Sequence, residues 1–479
     1  MGITSGRLPR HNARTLRVLD DISSNRTMDY PSILHERRRD LATQLSDPVL
    51  LWAGEAPMRN FAANRYPFRA SSSFLYFAGQ AIEGAVIGLI EGDLELFYDE
   101  PPASAALWLG ELPSRAVLAA QIGAAAHFPL SQLPERFPHG ATVAALDPAT
   151  RQKQGACLGR PILPLPDCPD CDRALAQAII TLRLCHDEWA IAELQQAAQI
   201  AMEAHLIGLQ TIPYAEKEAE VRGAMEAIVT AAGMATPYPS IVTTHGEILH
   251  ADTSPHPLNP GDLLLIDLGA ETPQGWAADI TRTLPVTGRF SERQRAIYEI
   301  VLAAHDACID AIAPGVEFSD IHRLALDTMT AGLLDLGVLQ GTGEKVDTLD
   351  VTALFFPHGV GHLVGLDVHD LEEFGDWAGY GSGRTRCDRP SWRYLRLDRP
   401  LQAGMVVTIE PGFYQIPALL NAATAQQKAL INWDRLAEFA DVRGIRIEDE
   451  VWVTDTGATV LTAGLPTRID AIEARMAAV

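Results

Sequence analysis

Apolar residues in the stretch 187–209 recur with helical spacing. Ala190, Ile191, Leu194, Ala197, Ala198, Ala201 and the pair His205-Leu206 fall on one broad face, which predicts a long helix that Pro213 ends within a turn or two. Further helices are expected over residues 217–232 and 291–308. Upstream, the pattern predicts a helix over residues 33–45 with Arg37, Arg38 and Arg39 as a solvated face. Strand-like runs follow at 48–53, 73–77, 85–90 and 94–98, punctuated by Gly and by Glu91-Gly92-Asp93. Strands and helices alternate to about residue 158, which reads as one α/β domain. The segment Arg160-Pro161-Ile162-Leu163-Pro164-Leu165-Pro166-Asp167 carries three prolines in eight positions, each fixing φ, and reads as a linker. The long helix after it opens a second domain.

Later segments show a different pattern, in which an apolar run ends on an acid. In Gly261-Asp262-Leu263-Leu264-Leu265-Ile266-Asp267-Leu268-Gly269 a strand places Asp267 at a sheet edge, and Gly269 permits close backbone approach. Asp279, in Trp276-Ala277-Ala278-Asp279-Ile280-Thr281-Arg282-Thr283, lies 12 residues further on, across Pro273-Gln274-Gly275, so a β-hairpin folds it back beside Asp267. Met405-Val406-Val407-Thr408-Ile409-Glu410-Pro411-Gly412 and Gly444-Ile445-Arg446-Ile447-Glu448 repeat the device, with Arg446 and Glu448 facing the same way by strand period. Taken singly, each Asp reads as a turn or salt-bridge residue. An acid inside such a run, however, needs a cation or a partner, because burying an unpaired carboxylate is costly. Between these segments stand His358, His362 and His369, three histidines in twelve positions, two of them flanked by glycines that leave room for imidazoles to converge on a ligand or metal. Asp267, Asp279, His362, Glu410 and Glu448 together can hold two divalent cations, so the chain reads as a two-metal hydrolase.

Composition bounds the rest. A length of 479 residues exceeds the roughly 250–300 residues at which single cores stop growing, so two domains are expected. With 47% hydrophobic and 21% charged residues this is an ordinary globular composition. The net charge of −23 opposes nucleic acid and anionic lipid as partners and favours cation uptake. Residues 1–20 are polar and basic without an apolar core, and no apolar run approaches the roughly 18 residues of a membrane span, so a cytoplasmic protein with no membrane contact is expected. Met1-Gly2 is followed by Gly6 where a myristoylation signal wants Ser or Thr. Six cysteines are too few for a disulfide scaffold at this length. Cys168-Pro169-Asp170-Cys171 has no second pair to complete a zinc site and reads as part of the linker.

At these residues the chain resembles the pita-bread metallopeptidases that cleave beside proline, the aminopeptidase P and prolidase families. The matching blocks are Ile241-Val242-Thr243-Thr244-His245-Gly246-Glu247-Ile248-Leu249-His250, the Asp267 segment, Asp279-Ile280-Thr281-Arg282-Thr283, residues 358–370, Thr408 to Gly412, and Arg446 to Asp449. They span residues 172–472, while 30–110, including Leu107-Trp108-Leu109-Gly110, is more loosely similar to the N-terminal domain of these families. The fold class implied is α/β (α+β): a flexible segment 1–28, a creatinase/aminopeptidase P-like α/β domain over 29–160, a linker over 161–171, and a pita-bread catalytic domain over 172–479. The resemblance makes Asp267 a bidentate ligand of one metal, places His362 and Glu410 on the other, and lets Asp279 and Glu448 bridge both. His250, His358 and His369 fall where substrate-binding and proton-shuttling histidines belong, and Arg446 where it supports the Glu448 carboxylate. The hairpin from Asp267 to Asp279 is one residue longer than the resemblance implies. Manganese is the implied ion, with cobalt or zinc as substitutes, and oxygen-rich ligation separately favours a hard ion such as Mn²⁺. Two cations a few Å apart lower the pKa of a bridging water; Glu410 is the candidate to take its proton, and His369 or His358 to stabilise the tetrahedral intermediate.

The implied substrates are peptides with proline at the second position, whose tertiary amide lacks N–H and must be recognised by ring shape and carbonyl contacts. Arg396, in Trp392-Arg393-Tyr394-Leu395-Arg396, lies where prolidases carry a carboxylate-binding arginine, or is a surface charge. The long insert at residues 415–441 is also prolidase-like, whereas the block ending at His250 and the N-terminal domain are closer to bacterial aminopeptidase P. Xaa-Pro aminopeptidase is the first expectation and prolidase the second. An amidinohydrolase or binding protein on the same fold would have lost several of the five ligands, and the N-terminal domain and histidine cluster disfavour a methionine aminopeptidase. The resemblance further implies a dimer or tetramer.

Overall fold

The computed structural model describes residues 29–478, so the expectations for residues 1–28 lie outside the described residues. In the first domain a five-stranded sheet runs in the order Ala126–Phe128, Asp93–Phe97, Val86–Ile90, Val49–Trp52, Ala141–Thr142. The three central strands pair antiparallel and the two outer ones join parallel. Side chains alternate across the sheet. Leu50, Val86 and Phe97 pack with Leu133 and Phe137 on one face, whereas Leu51, Ile87 and Leu96 join the main core on the other. Both faces are covered, which is why these strands read as nearly continuous apolar runs.

Two expectations are overturned here. Residues 73–77 belong to a helix, Ser72–Ala78, begun by Ser71, whose Oγ accepts from the Phe74 N–H, and ended by Gly79 at φ 73°. Every residue in it is buried, so the unbroken apolar run reported burial and not a strand. Arg37 and Arg38, in the helix Tyr30–Gln44, are not a solvated face: each is 4% exposed. Arg37 donates to Asp187 and to the Tyr76 carbonyl, and Arg38 to the carbonyls of Phe77 and Ile122. Their acceptors come from residues far along the chain, which a local charge pattern does not show.

The helix Asp170–Arg183 joins the two domains. At its start Asp172 accepts from the Thr142 N–H and from Arg160; at its end Arg183 is buried against residues 367–373. Glu188–Thr211 is the long helix, capped by Asp187, and one 3-10 turn, Ile212–Tyr214, carries it through Pro213. Glu218–Ala231, Glu292–Asp310 and Phe318–Asp335 complete the principal helices of this domain. They surround short strands. Leu263–Asp267, wholly buried, lies between Ile241–Thr243 and Thr281–Pro285, antiparallel to both. Val406–Ile409 pairs with Asp449–Thr454, and Gly412–Tyr414 with Gly444–Arg446. Single bridges from Thr281 to Glu448 and from Leu363 to Val407 knit these pieces together. No described helix is long and apolar enough to cross a membrane, and all six cysteines are free thiols.

Candidate active site

Each candidate ligand stands where a strand begins, ends or meets another. Asp267 closes Leu263–Asp267, and Asp279 precedes Thr281, which pairs with Asp267 across the hairpin. The turn is tight enough that a Cβ on Gly269 would stand 1.8 Å from the Ala278 carbonyl oxygen. Gly361 plays the same part beside His362, where a Cβ would lie 1.9 Å from the Thr408 oxygen. That approach lets the His362 N–H donate to Thr408 Oγ1 at 3.1 Å and the Thr408 N–H to the His362 carbonyl at 2.9 Å. Glu410 follows Val406–Ile409 directly, and the Glu448 N–H donates to the Thr281 carbonyl.

Ligand atoms of Asp279, His362 and Glu448 lie within 4.8 Å of one another. His362 Nε2 is 3.5 Å from Asp279 Oδ2 and 3.7 Å from Glu410 Oε1. Its Nδ1 faces the Leu363 carbonyl at 3.0 Å, which assigns the proton to Nδ1 and leaves Nε2 as a ligand atom. Asp267 is tied to Asp279 by Tyr238, whose hydroxyl reaches the two carboxylates at 2.6 and 2.5 Å. Arg446 Nη2 donates to Asp267 at 2.5 Å, Nε to Thr281 Oγ1 and Nη1 to the Tyr414 hydroxyl. Thr281 in turn donates to Glu448 Oε2 at 2.6 Å. Arg446 thus meets Glu448 through Thr281 and through the attraction of its charge, which opposes the upward shift of that carboxylate.

The donors enclose more negative charge than the protein neutralises. Burial and the nearby Asp279, opposed by Arg446, push Asp267 up to about 6. Burial, opposed by Arg446 and reinforced by Asp279, pushes Glu410 up to about 8. Burial and three neighbouring carboxylates drive Glu448 well above its ordinary range. Burial also lowers His362 to about 4, keeping its imidazole neutral. A set of four carboxylates and one neutral imidazole, with a single guanidinium in contact, fits divalent cations.

Every candidate residue lines one cleft of about 330 Å³, including His250, His358, His369, Arg396 and Arg446. His358 is lowered to about 3 by burial, and both its nitrogens are engaged, Nδ1 with the Gly359 carbonyl and Nε2 with Tyr414, each at 2.8 Å. His369 rests on His362, ring centroids 4.1 Å apart, with Nδ1 3.2 Å from Glu372 Oε2. Glu372 also pairs with Arg396. Buried Leu371, just before it, sits at φ 65°, a backbone position costing roughly 1 kcal/mol or more for such a side chain.

Sequence reasoning passed over Tyr238, Tyr414, Thr281, Glu372 and Glu450, whose Oε1 accepts the Asp279 N–H at 2.8 Å. Strand period could have found Glu450, two residues beyond Glu448. The tyrosines, in Pro237-Tyr238-Pro239 and Gly412-Phe413-Tyr414, belong to no chemical pattern.

A cleft of this kind, with buried carboxylates and an imidazole at the meeting of two strand systems behind a separate α/β domain, defines a metal-dependent hydrolase. The chain matches metallopeptidase family M24 over residues 192–455 and the N-terminal domain of aminopeptidase P over residues 34–145, and it belongs to that metallopeptidase family. It is 31% identical to the Xaa-Pro dipeptidase of Rattus norvegicus over 457 residues, 92% of this chain and 91% of the rat protein. It is 36% identical over 298 residues to a probable Xaa-Pro aminopeptidase of Podospora anserina, 61% of this chain and 62% of the fungal one. The structure of Pseudomonas aeruginosa aminopeptidase PepP matches with a TM-score of 0.76 at 29% identity, covering 94% of this chain and 98% of that one.

Proposed function

We propose that the chain hydrolyses the Xaa-Pro bond at the N-terminus of peptides, using two divalent cations held by Asp267, Asp279, His362, Glu410 and Glu448. The observation that carries this reading is the convergence of these five side chains, from segments spread between residues 267 and 448, on one cleft also lined by His250, His358, His369 and Arg396. Bound there, the cations would supply positive charge to polarise the scissile carbonyl and acidify a water. Asp267 would serve one ion, His362 and Glu410 the other, and Asp279 and Glu448 would be shared. Glu410 takes the proton of the attacking water at a carboxylate oxygen. His369, whose Nδ1 donates to Glu372, leaves Nε2 free to accept and pass on a proton at the cleft. His358 stays neutral and, with His250, shapes the wall that receives the proline ring. Arg446 positions Asp267 and, through Thr281, Glu448. The preponderance of oxygen ligands supports Mn²⁺, with Co²⁺ or Zn²⁺ able to substitute.

A dipeptidase reading is favoured by Arg396 at the cleft, where it could receive the C-terminal carboxylate of an Xaa-Pro dipeptide. The near full-length likeness to the rat dipeptidase supports it too. Hydrolysis of Ala-Pro beside Ala-Pro-Ala, with Mn²⁺ and with a chelator, separates the two. Cleavage of the tripeptide at its first bond establishes the aminopeptidase, cleavage of the dipeptide alone the dipeptidase, and silence on both with metal bound removes the Xaa-Pro reading. Six free thiols support a reducing, cytoplasmic compartment. Exposed Met58, Phe61 and Trp108 on the first domain support self-association, measurable as solution mass.

A further inference from the structure

Glu372 lies in the loop that presents His369, and its two oxygens do different things. Oε2 faces His369 Nδ1 at 3.2 Å, and Oε1 holds Arg396 Nη1 in an ion pair. Both partners of that pair are part-exposed, at 42% for the Glu372 side chain and 39% for Arg396. Arg386 nearby is engaged by Asp376 at 2.6 Å. A side pocket of about 130 Å³ opens at this point, bounded by Glu372, Arg386, Arg396 and His362. The cation best placed to receive a substrate carboxylate is thus already answered by an acid of the same chain. Burial is outweighed by His369 and Arg396, which hold Glu372 down at about 2, so the acid stays charged throughout the neutral range.

We infer that Glu372 sets the length preference of the enzyme: its carboxylate competes with the C-terminal carboxylate of an Xaa-Pro dipeptide for Arg396, and so favours longer peptides, whose chain continues past proline without a charge there. This rests on the Xaa-Pro reading above. Because the pair is part-exposed, it is weak enough for a substrate carboxylate to displace, and Glu372 acts as a bias and not as a block. Removing its charge frees Arg396 for the substrate carboxylate.

The test compares Ala-Pro with Ala-Pro-NH2, equal in length but differing in the carboxylate, and with Ala-Pro-Ala, in the Mn²⁺-loaded full-length enzyme. Glu372→Gln keeps an oxygen to accept from His369 Nδ1 and loses the charge. The ratio of KM for Ala-Pro to KM for Ala-Pro-NH2 should fall about fivefold, the upper range for an exposed pair. The double variant Glu372→Gln with Arg396→Met should abolish that fall. Because the ratio is taken within one variant, general damage to folding or to kcat cancels. An unmoved ratio in Glu372→Gln, with the wild-type enzyme active on the amide and the tripeptide, overturns the role of Glu372 and leaves the Xaa-Pro reading standing. A fall that persists without Arg396 also overturns it, since competition for that guanidinium would not be the cause. A wild-type enzyme inactive on all three removes both.

Discussion

One hydroxyl, that of Tyr238, reaches both Asp267 and Asp279, and burial beside those carboxylates raises its pKa well above the ordinary tyrosine range. It therefore remains a donor at any working pH and orients two of the candidate ligands. Groups that orient metal ligands from outside typically matter about 10- to 100-fold in affinity. Tyr238→Phe should weaken Mn²⁺ binding by that range in a calorimetric titration; unchanged affinity would mean that the strands alone align the carboxylates. Histidines away from the site make a separate prediction. His205 and His322 are buried, and burial lowers them to about 3 and about 4. With folded values below the unfolded 6.5, the unfolded chain binds more protons as pH falls through the window from 6.5 to 4, so stability is lost on acidification. At pH 5 each group costs about 2 kcal/mol by the conversion of roughly 1.4 kcal/mol per unit. In His322→Gln, whose amide can still donate to the Ser391 carbonyl, the loss of stability between pH 7.5 and 5 should shrink by about that amount in denaturant melts.

At the scale of elements, the site is a set of strand ends held in register by close backbone contacts. Gly361→Ala would drive a Cβ into the Thr408 carbonyl of Val406–Ile409 and push His362 away from Glu410. A loss of about 1–3 kcal/mol is expected from such overpacking, together with weakened metal retention. A fully active Gly361→Ala protein would show that the strand can yield. The apolar strands ending in acids, the hairpin from Asp267 to Asp279 and the helices 188–211 and 218–231 were legible because period and punctuation are local signals. The helix Ser72–Ala78 was not. A fully buried helix and a buried strand present the same unbroken apolar run, and only its packing against the sheet of the first domain decides between them.

Across the whole molecule, Arg183 ties the joining helix to the loop that carries His369. It is buried and pairs with Asp370 at 2.6 Å, Glu373 at 2.8 Å and Asp367 at 3.2 Å, while Ser72 of the first domain donates to Asp367. Arg183→Met takes the cation from buried Asp370 and Glu373, while Asp367 keeps Arg69, so a loss of roughly 3–5 kcal/mol is expected, as for other broken buried pairs, seen as a lower denaturant midpoint. A midpoint within error of the wild type would show that water reaches the loop and screens it. The two-domain order, the strand-borne acids and the candidate ligand set were legible in the sequence alone, because each depends on residue type and on spacing over a few positions. Which side chains serve those ligands was decided only by the tertiary structure. Tyr238 meets Asp267 across 29 positions, Arg446 meets the same carboxylate across 179, and Arg37 finds Asp187 across 150. Hydrogen bonds and ion pairs act over a few Å of space, and contacts that close such long loops leave no periodicity in the chain to announce them.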